Sequence, residues 1–242
     1  MSGDLVVRDL CKTYPATRRT AAVAAAKDIS FDLAPGKSVG LVGESGSGKT
    51  TVARMIVGLA RADSGTIEIG GGDRTRPARG RRARLRRARE VQMVFQDPYG
   101  SLDRRLSVEG ALRDVLMRHH PSSSKDEIGK RITELLDRVG LGSHLAACRP
   151  HQLSGGQRQR LAIAKAVAVD PAVLVLDEAV SALDVSVQAQ ILALLNEIRT
   201  DSGVSLVFVS HDLAVVAEVT DKILVMYRGE VVEQGATDAV LR

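Results

Sequence analysis

Two short segments of this chain have the residue types to grip phosphate: Gly43-Glu44-Ser45-Gly46-Ser47-Gly48-Lys49-Thr50 and Leu153-Ser154-Gly155-Gly156-Gln157. The first fits the pattern G-x-x-x-x-G-K-[ST], whose glycines let successive backbone N–H groups converge on phosphate oxygens. Lys49 adds a point charge, and a helix beginning near Thr50 adds about half a positive charge at its N-terminus. Such a loop is built for a nucleotide triphosphate. A bare match can also be a glycine-rich turn, so its flanks decide. Lys37 to Val42 reads as a short apolar strand and Thr51 to Val57 as a helix, the order a phosphate loop requires.

A third segment supplies acid. Val173-Leu174-Val175-Leu176 is an apolar strand that ends in Asp177-Glu178, and ligands of open α/β sheets bind at the carboxyl ends of strands. Asp177 would hold Mg²⁺ with Thr50, directly or through water, and Glu178 would polarise the attacking water as general base. The plainer reading, an acidic strand end solvated at the surface, loses ground beside a phosphate loop. Gln96 and His211 each follow a strand, so both can reach the site from loops, although a histidine there is as readily an ordinary surface group. Ser154, Gly155 and Gly156 head a helix whose free N–H groups and dipole suit a γ-phosphate, and their small size admits a nucleotide held by another chain. They can equally be a simple N-cap after a turn.

These residues need a scaffold. Strand-like segments recur between helical ones, which predicts an α/β fold with a largely parallel central sheet. Leu5 to Val7 and Ile29 to Leu33, the latter alternating apolar with polar and followed by Pro35-Gly36, predict antiparallel strands with one wet face. Further strands are expected at 66–69, 91–95, 172–176, 205–209 and 222–226. Between Phe95 and Pro171 helical spacing takes over, with Ile128, Ile132, Leu135, Leu136 and Val139 on one face, serines 122 to 124 as start signals and Gly140 as a stop. This stretch reads as an inserted helical subdomain whose last helix starts at Ser154-Gly155-Gly156 and ends at Asp170-Pro171.

Composition bounds the function. At 242 residues and 44% hydrophobic, the chain can bury a full core. No apolar run approaches the roughly 18 to 20 residues that cross a bilayer, and Met1 to Asp4 shows no basic-then-apolar leader, so a cytosolic address is expected. Cys11 and Cys148 have neither zinc nor disulfide spacing, and His119, His120, His144 and His151 suggest no metal set. Net charge is +5, with nine arginines between Arg74 and Arg89. That run can be a solvated stretch, helical from about Arg81, an attraction to anionic headgroups, or a nucleic-acid patch. With 2% aromatic residues and no Trp, stacking platforms are scarce, and no nucleic-acid partner is expected.

Over essentially its full length the chain resembles the ATP-binding cassette ATPases of transporters. Tyr14 stands where that family stacks an aromatic on adenine, with a packing role as the alternative. Gly43 to Thr51 match the phosphate loop, Gln96 in Phe95-Gln96-Asp97-Pro98 the glutamine loop, and Leu153 to Gln157 the signature. Asp177 and Glu178 match the acidic strand end, Ser181 to Asp184 the aspartate loop, and His211 the switch histidine. The resemblance implies a P-loop NTPase (RecA-like) core over 1–95 and 171–242, with an antiparallel β subdomain, and a helical signature subdomain over 96–170. It implies ATP and Mg²⁺ as cofactors, with Thr50, Gln96 and Asp177 at the metal and Lys49, Gln96, Glu178 and His211 in catalysis. It also implies a signature that acts in trans on the ATP of a second ATPase subunit, identical or paralogous. Asp184 would cross that interface, although it can instead cap the helix carrying Ile191, Leu194, Leu195 and Ile198.

The further partners implied are transmembrane permease subunits and an extracytoplasmic solute-binding protein, which places the chain at the cytoplasmic face of the cell membrane. The runs Phe95 to Asp103, Asp177 to Ser186 and His211-Asp212-Leu213 resemble the ATPases of dipeptide, oligopeptide and nickel importers. Two features depart from them. Ala179-Val180 replace the usual Pro-Thr, and the chain stops at Arg242, where those importers continue into a segment containing His-Pro-Tyr.

Overall fold

The structure, a computed structural model, describes residues 4–16 and 21–242. In chain order its first elements are β1 (Leu5–Tyr14), β2 (Val23–Leu33), β3 (Ser38–Val42), α1 (Lys49–Ile56), β4 (Ser64–Ile69), β5 (Gly72–Asp73), α2 (Arg81–Glu90) and β6 (Val91–Val94). A helical run follows: α3 (Pro98–Ser101), α4 (Val108–His119), α5 (Lys125–Arg138), 3-10 turns at Ser143–Leu145 and Pro150–Gln152, and α6 (Gly155–Val167). Alternation then resumes with β7 (Val173–Asp177), α7 (Val185–Ser202), β8 (Ser205–Ser210), α8 (Leu213–Val219), β9 (Lys222–Tyr227), β10 (Glu230–Ala236) and α9 (Thr237–Val240).

Every residue of β3, β7 and β8 is buried, as apolar strands covered on both faces require. They lie in a six-stranded sheet of order β10-β9-β3-β8-β7-β6, parallel from β9 to β6. Along the strands the side chains alternate between two cores. Leu174, Leu176, Leu206 and Phe208 face α4 to α8, while Val173, Val175, Val207 and Val209 face α1 and the second sheet. Each fully buried aliphatic side chain of this size contributes about 1.5–3 kcal/mol. The second sheet, β2-β1-β4-β5, is antiparallel throughout, so the segment at 66–69 belongs to it and not to the parallel sheet.

The helical run shares the first core with the central sheet instead of enclosing a core of its own. Ser124 opens α5 with a capping box to Glu127, and Ile128, Ile132, Leu135 and Leu136 form its buried face. The last helix of the run, α6, ends at Val167, three residues before the expected Asp170. Asp170 itself takes a φ of 51° and turns the chain into Pro171, a geometry that cannot extend a helix. Among the elements without a sequence signal is β10, whose Glu-Val-Val-Glu-Gln-Gly-Ala shows no strand alternation. It forms because Arg228 and Gly229, both with positive φ, make a two-residue hairpin turn back along β9.

Candidate functional site

Four neighbouring parallel strands deliver the candidate residues to one end of the sheet. β3 runs into the phosphate loop, β6 ends just before Gln96, β7 ends at Asp177 and continues to Glu178, and β8 ends just before His211. This is the carboxyl edge, where α/β sheets bind ligands.

The loop from Gly43 to Gly48 wraps Lys49, the first residue of α1. Lys49 is only 4% exposed, and its Nζ donates to the carbonyl oxygens of Gly43 at 2.6 Å and Glu44 at 2.8 Å. Burial pulls its pKa down, and the charges of Glu178 and Asp177 pull back against that. Asp177, 6% exposed, is pushed up by burial, and this is opposed by the hydrogen bond it accepts from Thr50. That bond, Thr50 Oγ1 to Asp177 Oδ1 at 2.9 Å, ties the loop's hydroxyl to the acidic strand end across 127 residues of chain. Both groups are thus held largely out of water, a position that is costly for a charge without a partner.

Glu178 sits at a turn, with φ of 48°. Its carboxylate is held from two sides: Gln96 Nε2 donates to Oε2 at 2.9 Å, and His211 Nδ1 lies 3.4 Å from Oε1. Gln96, Glu178 and His211 therefore form one cluster. A cleft of about 540 Å³ opens beside it, lined by Ser45, Gly46, Gly48, Lys49, Thr50, Thr51 and Glu178. Tyr14 lines the same cleft, 41% exposed, with Lys12 Nζ 5.5 Å from its ring centre. The remaining wall, Pro15, Ala21, Val23 and Ala25, has no motif in the sequence; only the alternation of β2 hints at its apolar face.

The structure does not bring the signature to this cleft. Ser154 caps α6, its Oγ accepting from Gln157 N at 3.2 Å while Gln157 Oε1 accepts from Ser154 N at 2.8 Å. Gly155 faces Leu183, just ahead of α7, and Gly156 faces Val187 in the first turn of α7. Asp184 caps α7 by accepting from Val187 N at 3.0 Å.

Residues 26–181 match the family described as ABC transporter. The chain belongs to that family. An ABC transporter cassette is an ATPase that energises membrane transport, and this one binds ATP. The oligopeptide transport ATP-binding protein OppF of Bacillus subtilis is 42% identical over 234 residues, 97% of this chain and 76% of that protein. The glutathione import ATP-binding protein GsiA of Salmonella typhimurium is 44% identical over 98% of this chain, which spans only 38% of GsiA. Among solved structures, the ATP-binding cassette MJ0796, dimeric and bound to ADP and Pi, has a TM-score of 0.84 at 28% identity, covering 96% of this chain and 98% of that one. The cbiO1 subunit of the Clostridium perfringens cbiONQ transporter has a TM-score of 0.83 at 29% identity, with 98% and 90% covered. No helix among the described residues is long and apolar enough to cross a membrane.

Proposed function

We propose that this chain powers the import of peptides by hydrolysing ATP in a pocket shared by two cassettes at the cytoplasmic face of the cell membrane. Its division of labour follows the segments, with the ATP-binding core in 1–95 and 171–242 and the signature in 96–170. Similarity to OppF and GsiA supports peptides as the class of solute, with permease subunits and an extracytoplasmic binding protein as the remaining parts. Relatives named for oligopeptides and glutathione, itself a small peptide, favour this over nickel.

The observation that carries the hydrolytic reading is Glu178 held between Gln96 and His211 on the edge of the phosphate-loop cleft. The backbone N–H groups from Glu44 to Thr51 and the ammonium of Lys49 would hold the phosphates, with Tyr14 against the base. Glu178 would accept the proton of the attacking water, and His211 and Gln96 would fix its carboxylate and meet the γ-phosphate end of the ligand. The donor set of a buried carboxylate, a hydroxyl already hydrogen-bonded to it and a nearby amide fits a hard divalent cation. Thr50, Asp177 and Gln96 would therefore hold Mg²⁺, which when bound neutralises charge on the phosphate oxygens.

The second half of the pocket comes from Ser154, Gly155, Gly156 and Gln157 of a companion cassette, an identical copy in the simplest case, as in dimeric MJ0796. Asp184 lies beside that surface. ATP that touches both cassettes only in the closed pair favours closure, and hydrolysis removes the preference. Swinging such an equilibrium from 1:99 to 99:1 takes about 5.5 kcal/mol, within reach of several charge-assisted hydrogen bonds per site. Glu178→Gln tests the base: steady-state hydrolysis should fall by about 10²- to 10⁴-fold while ATP still binds and the pair accumulates. Residual turnover near the wild-type rate would remove Glu178 from that role.

A further inference from the structure

A second cavity lies apart from the phosphate-loop cleft. It measures about 880 Å³ and lies where Glu90 leads into β6 and Ala172 into β7, at the amino-terminal ends of strands whose other ends carry Gln96 and Glu178. Arg81, Arg82, Arg86, Arg89 and Arg118 line it. The spacing of Arg82, Arg86 and Arg89 at i, i+4 and i+7 sets them on one face of α2, whereas Arg84 and Arg87 line a separate cavity.

Little in the chain balances this charge. The lining carboxylates are Glu90 and Asp170, and each is already engaged by an arginine from outside the cavity, Glu90 by Arg74 at 2.7 Å and Asp170 by Arg131. Arg86 reaches Glu90 only at 3.9 Å, Arg89 donates Nε to the Val169 carbonyl oxygen at 3.0 Å, and Arg118 pairs with Asp114 at 3.1 Å. The side chains of Arg81 and Arg82 make no hydrogen bond or ion pair among the described residues. Helix α2 buries none of its residues, so its guanidiniums are not there to pack a core.

The cavity also has an apolar part, supplied by Leu85, Met117 and Pro171. Its volume falls in the range of about 300–1,000 Å³ typical of small-molecule sites, and its concavity suits a discrete ligand better than the flat headgroup layer of a bilayer. Guanidinium forks match phosphate oxygens bidentately. We propose that this cavity binds a soluble organic phosphate, a phosphate ester with an apolar or planar body, independently of the ATP cleft.

The test uses the full chain with its ATP cleft filled by one equivalent of AMP-PNP and Mg²⁺, so that no free nucleotide competes, titrated calorimetrically with 1-naphthyl phosphate. Phosphatidylglycerol vesicles in a sedimentation assay form the second arm. The expected result is one saturable site with Kd at or below about 1 mM, weakened about tenfold or more in an Arg81→Ala/Arg82→Ala double variant, with melting temperature and basal hydrolysis unchanged. Both side chains are exposed, so the variant should fold. Absence of saturable binding, equal binding by the double variant, or association with vesicles alone would overturn the proposal.

Discussion

The glycines of the phosphate loop and the first glycine of the signature look alike in sequence and differ in what their own chain asks of them. A Cβ on Gly43 would stand 2.1 Å from the Met226 carbonyl oxygen, and one on Gly48 would stand 1.9 Å from that of Ala25. Both glycines also hold φ values, 145° and 109°, that L side chains rarely adopt. Gly156 is likewise constrained, since its Cβ would meet Val187 Cγ1 at 2.6 Å. Gly155 is different: its φ lies outside the left-handed region, and a Cβ there meets only Leu183 Cδ2, at an ordinary 3.5 Å. Folding within one chain accounts for the loop and leaves Gly155 unaccounted for. A small residue that the fold does not need, at the head of a capped helix that does not line the ATP cleft, is what a surface used by a second molecule would show.

The largest effect that sharpens this contrast is expected at Lys49. Lys49→Ala removes the charge at the centre of the cradle and should weaken ATP binding by about 100-fold, near 3 kcal/mol for a charged hydrogen-bonding group. Unchanged affinity by calorimetry would break the cradle side of the comparison. Next come the glycines themselves. Gly48→Ala forces a Cβ onto backbone and should cost about 1–3 kcal/mol of stability. Gly155→Asp should leave the melting temperature level or slightly raised, since an acid suits the first turn of a helix, yet hydrolysis should fall by about tenfold or more because the carboxylate would face a partner's γ-phosphate. Parallel losses of stability in both variants would erase the distinction.

The smallest effect lies at the foot of β3, far from the loop. Burial raises the carboxyl of Asp221, but the Ser38 N–H and hydroxyl, both donating at 2.8 Å, together with Arg199, outweigh burial and leave its pKa lowered. A depressed folded pKa gives stability that is present above the unfolded value of about 3.9 and is lost as pH falls through the folded one. Asp221→Asn should therefore cost about 1 kcal/mol at pH 7, since the pair is partly exposed. Melting curves of variant and wild type should converge below about pH 4, and a gap that stayed constant to pH 3 would deny the charge its part.

Much of the fold was legible because its signals are local. The all-apolar runs at 173–176 and 206–209 announce strands covered on both faces, and serines 122 to 124 announce the start of α5. The edge strand β10 was not legible: it is polar and owes its pairing to the turn at Arg228-Gly229. At the site, contiguous motifs placed Lys49, Thr50 and Asp177 on loop and strand ends. What no local pattern carries is the meeting of Gln96 and His211 on Glu178, across 82 and 33 residues of chain. The arginine cavity was invisible for the same reason, since Arg118 reaches it from α4 and its apolar part from three separate segments.

The shared pocket is tested most directly by mixing two inactive variants. Lys49→Ala has a dead cradle and a sound signature, and Gly155→Asp the reverse, so a mixed pair holds one complete site. ATPase activity should be near background for each variant alone and return on equimolar mixing, rising with total protein concentration. Activity that stays at the sum of the separate variants at every concentration would contradict the account.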